Sequence, residues 1–169
     1  MTGWAALLRA VNVGGTGKVP MTVLKELGER AGFANARTYI ASGNLVFASE
    51  CSEAAIREAL EELLEAEFGK RIGVLVRDAA ELARVAKDNP FADRPGNRVM
   101  AIFADADITL EGVRHQVQEE LRLGERVIYV HYPLGQADTK LVVPAAKHGT
   151  GRNMNTVAKL ADMAKEAAP

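Results

Sequence analysis

Arg37-Thr38-Tyr39-Ile40-Ala41-Ser42-Gly43-Asn44-Leu45-Val46-Phe47-Ala48 is the stretch that decides the fold. Its two short apolar runs, Arg37 to Ala41 and Leu45 to Ala48, flank Ser42-Gly43-Asn44. Small polar residues with glycine between such runs predict a β-hairpin. On its N-terminal side, Pro20 opens a helix, since its missing N–H is unpaired in a first turn anyway. Leu24, Leu27 and Ala31 share one face of that helix, and Gly32 stops it. Before it, Trp4 to Val11 is apolar apart from Arg9 and reads as a buried strand. On the C-terminal side, Ile56, Ala59, Leu60, Leu63 and Leu64 recur at helical spacing between Ser52 and Phe68, with Gly69 as the stop. Ile72 to Val76 is the next strand. The first half is therefore strand–helix–strand–strand–helix–strand, the order of a ferredoxin-like βαββαβ subdomain.

Asp78 to Lys87 reads as a further helix, and Asn89-Pro90-Phe91 through Arg94-Pro95-Gly96 as a turn-rich linker. Beyond it the reading is strand Val99–Ala104, helix from about Thr109 to Leu121, strand Arg126–Tyr132 and a last helix from about Asn153 to Ala167. The fold class is α+β, with a ferredoxin-like subdomain over 1–88 and a smaller α+β subdomain over 89–169.

Composition bounds the function. The 169 residues hold 21 Lys+Arg against 22 Asp+Glu, a net charge of −1, which argues against a dedicated duplex-DNA binder. No apolar run approaches the roughly 20 residues of a membrane span. The start Met1-Thr2-Gly3-Trp4 lacks the pattern of a signal peptide, and the single cysteine, Cys51, forms no internal disulfide. The expected location is the cytoplasm, with no membrane contact.

Charge placement is uneven. Residues 1–25 hold Arg9, Lys18 and Lys25 without an acid, and residues 139–161 hold Lys140, Lys147, Arg152 and Lys159 without an acid. Each stretch contains a glycine-rich loop that runs into a predicted helix: Gly14-Gly15-Thr16-Gly17-Lys18, and Lys147-His148-Gly149-Thr150-Gly151-Arg152. Loops at helix N-termini present free N–H groups and the positive end of the dipole to phosphate or carboxylate. The βαββαβ order also puts Asn12–Val19, Ser42–Asn44 and Gly69–Arg71 on one edge, with Lys18, Lys70 and Arg71 among them. Arg9 interrupts a strand expected to be central, so it needs a partner acid or a polar cleft.

Sharper motifs fail. A phosphate-binding loop needs glycine where Asn12 stands and Ser or Thr where Val19 stands. The dinucleotide pattern from Gly15 would place its third glycine at Pro20. His115, His131 and His148 lack metal-ligand spacing, and no metal or cofactor is called for. Aromatics make up only 5%, too few for a base-stacking RNA sheet. No catalytic constellation is identifiable.

Three ordered segments resemble a known family. They are Leu7-Leu8-Arg9-Ala10-Val11-Asn12-Val13-Gly14-Gly15, Thr38-Tyr39-Ile40-Ala41-Ser42-Gly43-Asn44-Leu45-Val46-Phe47, and Arg152-Asn153-Met154-Asn155-Thr156-Val157 with Lys159-Leu160. They are similar to the signatures of the bacterial domain-of-unknown-function family 1697, and Asn89-Pro90-Phe91 also fits. Ala10, Ala41 and Met154 stand where that family usually has glycine, glutamine and tryptophan. The resemblance implies a small soluble α+β protein with no established activity, cofactor or substrate.

Together these readings give a candidate ligand site at Arg9, Asn12, Gly14, Gly15, Lys18, Ser42, Gly43, Asn44, Arg152, Asn153 and Asn155. The third motif is expected to approach the other two across the subdomain boundary. The expected partner is a phosphate-bearing small molecule or nucleotide, held by the arginines, the asparagines and the loop amides. The alternative is a structural or interaction module without a ligand, homodimeric or not. An enzyme on a phosphorylated or nucleic-acid substrate is a third reading.

Overall fold

The computed structural model describes residues 1–12 and 17–169. It is a mixed α+β fold with two four-stranded antiparallel sheets and four helices. Packing divides the chain into Met1–Leu82 with Leu160–Pro169, and Ala83–Lys159. The division falls inside the helix that precedes the expected boundary, and the last ten residues pack with the first unit.

The first unit follows the expected order: β1 (Thr2–Leu8), α1 (Met21–Arg30), β2 (Ala34–Thr38), β3 (Asn44–Ser49), α2 (Glu53–Phe68) and β4 (Val74–Asp78). Its sheet runs β2-β3-β1-β4. Side chains alternate across a strand, so Trp4, Ala6 and Leu8 share one face of β1 with Leu45 and Phe47 of β3. Leu24 and Leu27 of α1 and Ile56, Leu60 and Leu64 of α2 join them in the core. Each such side chain contributes about 1.5–3 kcal/mol on burial. Phe33 stacks on Phe47 with ring centroids 4.1 Å apart.

Local chemistry sets the helix ends. The Ser52 hydroxyl accepts from the Ala55 N–H at 3.2 Å and caps α2, and Gly69 closes it with φ +71°. Gly32 at φ +85° follows α1. Pro20 lies one residue before α1, where its carbonyl accepts from the Leu24 N–H.

The helix α3 (Ala79–Lys87) leads into the second unit. There β5 (Val99–Phe103), β6 (Glu120–Gly124), β7 (Val127–His131) and β8 (Thr150–Asn153) form a sheet of order β6-β7-β5-β8. One face carries Leu121, Ile128, Val130 and Tyr132, covered by Ile108, Leu110, Val113, Leu141, Val143 and Ala145 from irregular segments. On the other, the Tyr129 hydroxyl donates to the Val85 carbonyl of α3 at 2.8 Å. Burial pushes that phenol up to about 12.

Two expectations need correction. The helix over Thr109–Leu121 does not form: Gly112 and His115 turn the chain with φ +76° and +60°, and Glu120 begins β6. The second half of the glycine loop Lys147–Arg152 is the edge strand β8, with Ala101 opposite Arg152. The last helix, α4 (Met154–Ala167), forms as expected.

The C-terminal part of α4 is tied to the first sheet. Asn35 donates from Nδ2 to the Ala167 carbonyl at 3.0 Å, and the Ala164 carbonyl stands where a Cβ on Gly3 would have to sit. Gly3→Ala must therefore push backbone away from backbone. We expect it to cost about 1–3 kcal/mol, read as a fall of several degrees in Tm. An unchanged melting curve would show that α4 is not held against β1.

Candidate functional site

The site begins where β1 ends. The Leu8 N–H donates to the Gly43 carbonyl and the Arg9 N–H to the Gly73 carbonyl, each at 2.9 Å. These bonds seat the β2–β3 loop and the α2–β4 loop on either side of residues 9–12. Gly43 suits its place because its φ is +90° and a Cβ there would lie 2.7 Å from Val11 Cγ2.

Asn12 then ties this point to Gly17, Val19 and Ala41. Its Oδ1 accepts from the Val19 N–H at 2.8 Å, and its Nδ2 donates to the carbonyls of Val19 at 3.0 Å and Ala41 at 2.8 Å. Its own N–H reaches the Gly17 carbonyl at 3.2 Å. Asn44 is buried, with Nδ2 donating to the Tyr39 carbonyl at 2.9 Å and to Ser42 Oγ at 3.0 Å. Both amides satisfy irregular backbone that strands cannot pair. Gly14 and Gly15 lie outside the described residues.

The charge at this edge comes from lysines and arginines. The Lys70 ammonium lies against Gly17, in the space a Cβ would take, next in sequence to the exposed Lys18. Neither lysine has a carboxylate within ion-pair distance among the described residues. Arg71 is paired with Glu61 at 3.5 Å and Glu65 at 3.0 Å. Hydrogen bonding to Glu65, then the charge of Glu61, raises the Arg71 pKa. Arg9 does not interrupt a strand: β1 ends at Leu8, and the half-exposed Arg9 side chain runs along Gly73. The buried arginine of the first sheet is Arg77 on β4, which donates to the Val76 carbonyl at 2.9 Å and pairs with Glu81 at 3.5 Å.

Arg152, Asn153 and Asn155 belong to the second unit. Arg152 is only 5% exposed, and its Nη1 donates to Thr150 Oγ1 at 2.7 Å and the Gly151 carbonyl at 2.9 Å. Burial brings its pKa down to about 10, so it stays charged at neutral pH. Asn153 caps α4, its Oδ1 accepting from the Thr156 N–H at 2.9 Å. Asn155 is exposed, with its Oδ1 over Gly96. The structure thus gathers the first two motifs at one edge of the first unit and the third at the β8–α4 junction of the second.

Sequence reading missed a cavity of about 270 Å³ in the second unit, lined by Val117, Glu119, Tyr132, Leu134, Asp138 and Lys140 among others. Residues so far apart in sequence give no spacing signal. No group of three or more His, Cys, Asp or Glu side chains among the described residues is placed to hold a metal ion. No helix among them is long and apolar enough to cross a membrane.

Two substitutions test the frame. Ala10 sits at φ +49°, a left-handed conformation that costs a β-carbon about 1–2 kcal/mol. Ala10→Gly should therefore raise the melting temperature by a degree or more, and a loss of stability would contradict the strain. Arg152→Ala leaves a buried void and should cost about 2–5 kcal/mol by chemical denaturation. Retention of full stability would return Arg152 to the list of ligand residues.

The solved structure of the conserved bacterial protein SP0830 from Streptococcus pneumoniae is similar at TM-score 0.77 and 25% identity, covering 96% of this chain and 98% of that one. No curated protein matches the chain. The family model for a protein of unknown function, DUF1697, matches residues 1–129, so the Arg152–Leu160 segment lies beyond the match. Both of the first two motifs fall inside it. Over most of its length, then, this chain belongs to the DUF1697 family.

Proposed function

We propose that the first unit binds a phosphate-bearing small molecule or nucleotide at the edge formed by residues 9–12, 17–19, 39–43 and 69–73. The observation that carries the reading is the approach of the Lys70 ammonium to Gly17, the residue before Lys18, since both lysines are exposed and have no carboxylate partner among the described residues. Arg9 and Arg71 add charge nearby. Asn12, Ser42, Gly43 and Asn44 act as the frame, because their polar groups hold loop to loop. The reading takes the first unit as a ferredoxin-like subdomain, which its β2-β3-β1-β4 order supports. Arg152, Asn153 and Asn155 are left to the second unit's own packing.

A structural or interaction module without a ligand is the second reading. The internal use of both asparagine side chains favours it, since neither then needs a ligand to explain it. A strand-to-strand dimer through β6 has less support, because the Arg122 guanidinium already occupies the Leu121 carbonyl of its own strand at 2.8 Å.

Thermal shift with pyrophosphate and with ATP separates the two. A ligand at 100 times its Kd stabilises the native state by about 2.7 kcal/mol, roughly 5–10 °C for a chain of this size. We expect such a shift at low salt, its loss in Lys18→Gln and Lys70→Gln, and no change in the ligand-free Tm of either exposed variant. A flat response to both compounds would favour the module.

A further inference from the structure

We propose that the cavity of the second unit is a binding site for a small zwitterion with an apolar side chain, the class of the aliphatic amino acids. It is separate from the edge above and stands whether or not that edge binds phosphate. At about 270 Å³ it lies just below the roughly 300–1,000 Å³ of sites for drug-sized ligands, a size that suits a small ligand.

Its wall is divided chemically. Val117 and Leu134 are 84% and 77% exposed, so two large apolar side chains face water at one concavity. Such a concentration of apolar surface has a use where an apolar ligand covers it. The buried Tyr132 lines the same space. Burial raises its pKa, so its hydroxyl stays neutral.

Opposite in character are Glu119, Asp138 and Lys140. Glu119 is 8% exposed, and its carboxylate accepts from the Val117 N–H at 3.2 Å and the Thr139 hydroxyl at 3.2 Å. The Val117 N–H leads in holding this carboxyl below its usual range, so it is ionised at neutral pH. The Glu119 and Gln118 backbone N–H groups also favour the ionised form, so the carboxylate meets a ligand ammonium as a fixed negative charge at the cavity wall. Asp138 and Lys140 are exposed and make no ion pair among the described residues. Two carboxylates and one ammonium complement a ligand with one cationic and one anionic end. In this arrangement Glu119 and Asp138 take the ligand's ammonium, Lys140 its carboxylate, and Val117, Leu134 and Tyr132 its side chain.

Amide NMR on the full chain tests this with three probes that share the isobutyl side chain: leucine, isoamylamine (leucine without its carboxylate) and 4-methylpentanoate (leucine without its ammonium). Leucine should shift the amides of Val117, Leu134 and Asp138 and bind tightest, isoamylamine should bind more weakly, and 4-methylpentanoate weakest. Glu119→Gln should weaken leucine and isoamylamine about tenfold or more. Lys140→Gln should weaken leucine and leave isoamylamine unchanged. Because Glu119 also holds its own loop, the exposed variant Leu134→Ser provides a second check and should weaken both.

Three results would overturn the site. One is no movement of cavity amides at roughly 10 mM leucine. Another is binding of 4-methylpentanoate as tight as that of leucine. The last is movement of the Val117 and Leu134 amides with protein concentration alone, which would assign that apolar pair to self-association.

Discussion

The first unit depends on β1 being bonded along both edges. Its register sets Leu7 opposite Asn44 of β3 and Leu8 opposite Val74 of β4. Both partner strands therefore begin beside the point where β1 stops, and the loops that precede them arrive at the same place. The Leu8 and Arg9 amides complete the arrangement by reaching the carbonyls of Gly43 and Gly73. Each later feature of that edge follows: the left-handed turn at Gly43, the Asn12 brace to Ala41, and the approach of Lys70 to Gly17. A strand with only one bonded edge would leave one of these loops unplaced.

The first unit was legible because its signals agree at several levels. Helical spacing in α2 coincides with a serine cap and a glycine stop, and the hairpin is punctuated by Ser42-Gly43-Asn44. The second unit shows where such signals mislead. Leu110, Val113, Val117 and Leu121 recur at helical intervals within the stretch expected to be helical. In the structure Leu110 and Val113 drop onto the sheet from irregular chain, Leu121 does so from β6, and Val117 stays in water. Periodicity records which residues meet a core, not the path of the backbone between them. Arg9 misled for a smaller reason: the strand ends one residue before it, and a boundary error of that size converts a buried charge into a half-exposed one.

The sequence singles out the candidate residues by type but does not distinguish the structural roles that several of them have. Asn12, Asn44 and Asn153 looked like ligand donors and acceptors, yet each side chain satisfies backbone polar groups at an irregular point of the chain. A donor that completes a turn and a donor that awaits a ligand look the same in sequence. Exposure separates them, and it is decided by tertiary packing. Arg152 illustrates the point, since its glycine-flanked context reads as a loop while pairing with β5 buries it. Lys70 is the converse, because its approach to Gly17, beside Lys18, depends on a crossover that only the sheet order supplies.

The two proposed sites face opposite electrostatic demands, and this constrains what each can hold. Lys18 and Lys70 stand in water, where a single ion pair is worth about 0–1 kcal/mol and salt screens it. An edge of that kind gains useful affinity only from a ligand that engages several cations at once, as a di- or triphosphate does. Glu119 is buried, and its charge is kept by fixed donors, the Val117 N–H and the Thr139 hydroxyl among them. A charge already desolvated adds little further desolvation cost on binding, so one ammonium group suffices to exploit it. The polyvalent anion therefore belongs to the exposed lysines and the monovalent amine to the enclosed carboxylate. Exchanging the two ligands would leave each without the geometry that makes its charge count.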